Sequence, residues 1–212
     1  MSKNEYRSAA ILLIMGAVLA NAAFIGLGSV FNYPNILQEP AKQVFLKFSA
    51  NQWSIIAWFL LLTLGAALIA PIAILISRLA DVTFSRWIKW TGILAATVQV
   101  IGLLRWPLIV PTLVASGDIK TFQSLNFILG TVIGETFGYF LTALWTILVV
   151  RMKTPIAGKW FTWLGTLPAG LIFLGVFTPL GLPLADLANF VGYILWSLWL
   201  IVFGILLWRK SK

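Results

Sequence analysis

WSIIAWFLLLTLGAALIAPIAILI, residues 53–76, runs for 24 residues without one charged side chain. As an α-helix it rises about 1.5 Å per residue, roughly 36 Å in all, which exceeds the roughly 30 Å hydrocarbon core of a bilayer. A helix also pairs the backbone groups of such a segment internally, as hydrocarbon requires. Five other runs have the same character, near residues 9–31, 87–110, 125–150, 160–179 and 187–208. Together the six take up most of the chain. The sequence therefore predicts an all-α integral membrane bundle of six transmembrane helices, a single domain over residues 1–212.

Composition leads to the same place. Hydrophobic residues make up 60% of the chain, charged residues 10%, and the mean hydropathy is +0.97, against roughly 25% charged residues in a soluble domain. Exposing that apolar surface to water would cost about 25 cal/mol for each Å². The net charge of +9 does not point to nucleic acid, because the basic residues stand in small groups between apolar runs.

Those groups set an orientation, since cytoplasmic loops retain lysine and arginine. Lys3, Arg7, Arg78, Arg86, Lys89, Arg151, Lys153, Lys159, Arg209, Lys210 and Lys212 fall on one side, and Lys42, Lys47 and Lys120 on the other. Both termini are thus predicted in the cytoplasm. Tryptophan belts agree: Trp87, Trp90, Trp160, Trp163 and Trp208 stand at inner helix ends and Trp53 at an outer one. The first run has a second reading, as a signal sequence cleaved near Ala20-Asn21-Ala22, but its apolar stretch continues to Phe31, long enough for a span. The connection 32–52 carries Val44, Phe45 and Phe48 on one helical face. It reads either as a short helix at the outer headgroups or as an early start of the second span.

Two ionisable residues fall inside spans, Arg105 in the third and Glu135 in the fourth, where charge is costly. Residues 105 and 135 are equidistant from Lys120, so a tight hairpin would set them at one depth and suggests an ion pair. Thr131, Glu135, Tyr139, Thr142 and Thr146 recur at spacings of three and four, one face of an α-helix at about 100° per residue. Gly130, Gly134 and Gly138 form a small-residue ridge suited to another membrane helix, including that of a protein partner. Pro107 and Pro111 free backbone carbonyls beside Arg105, consistent with a bent, water-accessible segment. Two accounts compete. In one, Arg105 and Glu135 simply clip two helices together. In the other they build, with Tyr139 and Thr131, an outward-facing polar site for a small ligand or lipid headgroup. Asp186 reads as an interfacial or helix-start carboxylate, the alternative being a member of the Arg105–Glu135 network. Gly26-Leu27-Gly28-Ser29 reads as helix packing, the alternative being a nucleophile turn that would lack histidine as its base.

The chain has no histidine and no cysteine. Histidine-dependent metal, haem and general-base chemistry are disfavoured, as are thiol nucleophiles and disulfides. Only Glu135 among the six acidic residues lies deep in a span, so an aspartyl dyad lacks a second member. No nucleotide-binding motif occurs. Neither a metal site nor a cofactor is expected, and a membrane enzyme ranks behind a ligand-binding protein, a proton-coupled transporter and a structural or regulatory subunit.

Arg105-Trp106-Pro107-Leu108-Ile109-Val110-Pro111, followed by Gly134-Glu135-Thr136-Phe137-Gly138 and Thr142-Ala143-Leu144-Trp145, resembles the bacterial membrane proteins grouped as domain of unknown function 4386. Length and span count are also similar. The resemblance implies a bacterial cytoplasmic membrane and no particular activity. In some members of that family histidine lies near the glutamate, whereas this neighbourhood holds Asn126 and Phe137.

Overall fold

Every apolar run becomes a helix, as the need to pair backbone groups in hydrocarbon dictates. The computed structural model describes residues 1–152 and 158–212, so Lys153 of the basic set lies outside the described residues. Six helical segments are long and apolar enough to span a membrane: Lys3–Phe31, Gln52–Ser77, Val82–Ser116, Ile119–Val150, Lys159–Leu180 and Ala185–Lys210. The first is one helix, α1 (Lys3–Phe31), started by a capping box between Ser2 and Glu5. Helix α2 (Ala41–Ala50) lies in the connection that follows.

The second span is α3 (Gln52–Ala67) and α4 (Ile69–Ser77), interrupted at Leu68 just before Pro71, which has no N–H to donate back. The third is α5 (Val82–Leu108) and α6 (Val110–Ser116), broken at Ile109 between Pro107 and Pro111. The fourth begins as α7 (Ile119–Leu125), widens into a π-helix over Asn126–Phe137, and returns to α geometry in α8 (Gly138–Val150). The fifth is α9 (Lys159–Leu174) with a 3-10 end at Gly175–Leu180, and the sixth is α10 (Ala185–Lys210).

Consecutive spans pack side by side, and α10 packs back on α1, so the six close into a ring. Both chain ends lie at one end of it, where the Lys3 ammonium donates to the carbonyl oxygen of Lys212 at 2.8 Å. Arg78 and Glu5 form an ion pair there, between the ends of α4 and α1. The terminal half holds a core that includes Leu13, Ile76, Trp145, Trp199, Phe203 and Leu207. A second core at the far end gathers Phe31, Phe48, Phe59, Trp106 and Phe122, with Phe59 stacked on Trp106 at 4.9 Å and 7°.

All six tryptophans read as interfacial are exposed, from 41% for Trp208 to 78% for Trp53. One expectation needs correction. Helix α2 does form, but Val44, Phe45 and Phe48 face protein, not headgroups: Phe45 meets Phe122 at 5.0 Å and Phe48 meets Trp106 at 6.1 Å. The far-end aromatic core offers a better-packed surface than the membrane interface, and α2 becomes a cover over it. The glycine cluster near residue 26 is packing, as expected, with Gly26 buried against Trp58 and the Ser29 hydroxyl donating to the Gly26 carbonyl at 2.7 Å.

Candidate functional site

Inside the ring lies a cavity of about 630 Å³. Its lining contains all four residues singled out from the sequence, Arg105, Thr131, Glu135 and Tyr139. The third and fourth spans supply a polar wall, which also includes Gln99 and Asn126. The first and second supply mostly small or apolar side chains such as Ala17, Leu62, Ala66, Ile69 and Ile72, and the sixth supplies both polar and apolar ones. Asn35, Gln38, Pro179 and Asp186 stand at its far-end rim.

Arg105 is the charged centre of this wall and is only 6% exposed. Its Nε donates to Asn126 Oδ1 at 3.1 Å and its Nη1 to the Gly102 carbonyl at 2.6 Å. The carbonyl it takes is thus Gly102's, not one freed by the prolines. Guanidinium has five N–H donors, so these two bonds leave capacity for a ligand.

Arg105 and Glu135 do not form a direct ion pair; among the described residues that contact occurs between Arg78 and Glu5. The hairpin register explains the difference. A Cβ built on Gly102 would stand 2.6 Å from the Gly134 Cα, and one on Gly130 would stand 2.7 Å from Arg105 Nη2. Arg105 is therefore level with Gly130, and Glu135 lies about one turn nearer the terminal end. Both charges face one cavity at different depths.

The same distances settle the glycine ridge. Gly130 accommodates Arg105, Gly134 meets Gly102, and Gly138 faces Gln99. This ridge is consumed within the chain, which corrects the expectation that it receives a helix of a partner protein. The backbones approach so closely because neither glycine carries a side chain.

The π-helix decides which side chains share the polar wall. Its i→i+5 ladder takes between four and five residues per turn, so Asn126, Gly130, Glu135 and Tyr139, spaced four, five and four apart, stack on one side. At about 100° per residue, thirteen α-helical steps from Asn126 to Tyr139 would end about 220° away. The Thr136 hydroxyl donates to the Thr131 carbonyl, five residues back, at 2.8 Å. The lower part of the threonine stripe holds helices together instead. Thr142 accepts from Gln99 Nε2 at 2.8 Å, and Thr146 accepts from Trp196 Nε1 at 2.8 Å. Asp186 sits in the first turn of α10, accepts from the Leu187 amide at 2.8 Å and also lines the cavity.

A family described as Domain of unknown function (DUF4386) matches residues 8–204, nearly the whole chain. The chain belongs to this family. No curated protein and no solved structure matches it. The DUF4386 match runs across the cavity-lining residues of all six spans, not only the two segments that first suggested the likeness.

Several cavity residues of this DUF4386 chain escaped the sequence reading. Gln99 lies three residues before Gly102, a spacing that places it within about 60° of that glycine around α5. Asn189, Tyr193 and Ser197 recur every four residues on α10, a polar stripe legible in the sequence, and all three line the cavity. Tyr33 reaches it from the connection after α1 and packs on Phe24 and Phe59 at 5.5 Å each. No local pattern announces Tyr33, because its place depends on how that connection folds back.

Proposed function

We propose that this DUF4386 protein is a ligand-binding multi-pass protein of the bacterial cytoplasmic membrane, with both termini in the cytoplasm and the cavity open toward the outside. The observation that carries the reading is a buried guanidinium without a contacting carboxylate on the wall of a cavity of about 630 Å³, within the roughly 300–1,000 Å³ of small-ligand pockets. Arg105 holds an anionic group, Asn126 orients the guanidinium, and Tyr139 and Thr131 supply further hydrogen bonds.

Inorganic phosphate and acetate, titrated by calorimetry into protein in nanodiscs, test the site. Arg105→Gln weakens anion binding at least tenfold, the size expected of a charged hydrogen bond. Unchanged binding in a correctly folded Arg105→Gln variant ends the proposal. Orientation is tested separately, and the absence of cysteine makes this clean. A membrane-impermeant maleimide labels Lys120→Cys but not Lys210→Cys, both at exposed positions, in intact cells if the termini are cytoplasmic.

Glu135 supports a second reading, a proton-coupled carrier. Its carboxylate lines the same cavity without pairing directly to Arg105, and protonation there would change the charge a solute meets. Flux into liposomes that depends on pH and disappears in Glu135→Gln would favour transport over binding alone.

A further inference from the structure

The geometry points to a single-chain anionic amphiphile as the occupant of this cavity, drawn from the bilayer through a gap between the far-end halves of α1 and α10. The inference rests on the pocket proposed above and narrows its ligand.

The two walls differ in chemistry. Arg105 and Asn126 offer donors in the far-end half and α10 adds Asn189, Tyr193 and Ser197, whereas Ala17, Ala66, Ile69 and Ile72 of the first and second spans make an apolar wall down into the terminal half. A small inorganic anion would satisfy Arg105 and leave the apolar depth unused. An acyl chain fills it. Glu135, about one turn deeper than Arg105, disfavours a second negative charge and keeps the anionic head at the level of Arg105. A cavity of about 630 Å³ has room for one chain and its head, and is too small for a whole two-chain phospholipid.

The route follows from which lining residues are exposed. Ile25 of α1 is 76% exposed, and Phe190 and Ile194 of α10 are 40% and 42% exposed, yet all three line the cavity. On membrane-spanning helices such side chains face acyl chains, so the cavity communicates with lipid beside the Phe24–Phe190 contact that bridges α1 and α10, ring centroids 6.5 Å apart. Gly28 widens the gap: a Cβ there would meet nothing nearer than the Tyr33 carbonyl oxygen at 3.7 Å. The helices close again toward the termini, where a Cβ on Gly204 would stand 2.9 Å from the Ala10 carbonyl oxygen.

A long-chain fatty acid with a diazirine at mid-chain, photolysed with the full-length protein in nanodiscs, tests this by mass-spectrometric mapping. The inner wall around Ala66, Ile69 and Leu200 is expected to be labelled. That labelling falls at least tenfold in Arg105→Gln, which releases the head, and in either Ala66→Phe or Ala20→Phe, which plug the depth. Labelling of outward-facing Leu60 and Leu64, 48% and 51% exposed, stays unchanged and reports an intact fold. Label confined to outward-facing residues, or inner-wall label indifferent to both plugs, overturns the amphiphile. If phosphate still binds in an Arg105-dependent way in that case, the pocket stands and only its occupant is wrong. If neither probe depends on Arg105, both readings fall.

Discussion

The two ends of this bundle are built from similar residues and finished differently. At the terminal end Trp145, Trp199, Phe161 and Phe203 interlock, with Trp199 at 5.4 Å from Phe161 and 5.5 Å from Phe203, and they close the ring below the cavity that Trp145 itself lines. In the far-end half Trp106, Phe59 and Phe31 pack as tightly, at 4.9 and 5.1 Å from the indole. They do so to one side, beneath α2, and leave the ring axis open beside Arg105. A closed ring of six helices thus seals itself where large rings meet on the axis. It stays hollow where small residues and a polar wall face each other.

The largest way to test that contrast is to remove a ring from the sealed end. Trp199 is fully buried, and Trp199→Ala should cost about 4 kcal/mol, read as thermal unfolding in mild detergent. A loss under about 1 kcal/mol would mean that end is not a packed seal. Next, Gly102→Val drives a branched side chain into the Gly134 backbone and should cost about 3 kcal/mol in the same assay, since neither backbone has room to yield. Gly170→Ala, with nothing within 4 Å of the added carbon, serves as its neutral control. Ala66→Phe, which projects into the hollow half, should cost less than about 1 kcal/mol, against the 1–3 kcal/mol usual for overpacking a filled core. A larger loss would show that the cavity does not persist in the membrane.

The smallest effect concerns the hairpin that carries the site. Asp118 caps α7, accepting from the Thr121 hydroxyl at 2.7 Å and its amide at 3.0 Å, and these bonds, the hydroxyl's first, hold its carboxyl below the ordinary range. A lowered carboxylate pKa means the cap is intact above that range and is lost as the pH falls through the lowered value. Hydrogen exchange at the Thr121 amide should therefore speed up on acidification beyond the intrinsic trend. Asp118→Asn, which keeps an acceptor but cannot ionise, should remove the excess.

Much of the molecule was legible in the sequence because membranes restrict it so severely. Apolar length alone located six spans to within a few residues at most ends, and Arg105, Thr131, Glu135 and Tyr139 were picked out by being polar where polarity is costly. What failed were inferences that needed a register. The ion pair was read from symmetry about Lys120, whereas Gly102 opposite Gly134 centres the hairpin near Asp118 and sets Glu135 about one turn deeper than Arg105. The glycine ridge was correctly read as a place of close approach, but its neighbour was the chain's own third span.

Periodicity and hydropathy thus determined by themselves that this chain crosses a membrane six times as helices and holds one arginine and one glutamate within it. Only the tertiary structure decided that the helices close into a ring around a cavity, that a π-helix turns Asn126 toward Arg105, and that α2 covers protein. The reason is physical: hydrophobic transfer depends on each residue's own side chain and adds along the sequence. Register, backbone widening and helix contact depend on pairs of residues far apart in the chain, and no single segment carries that information.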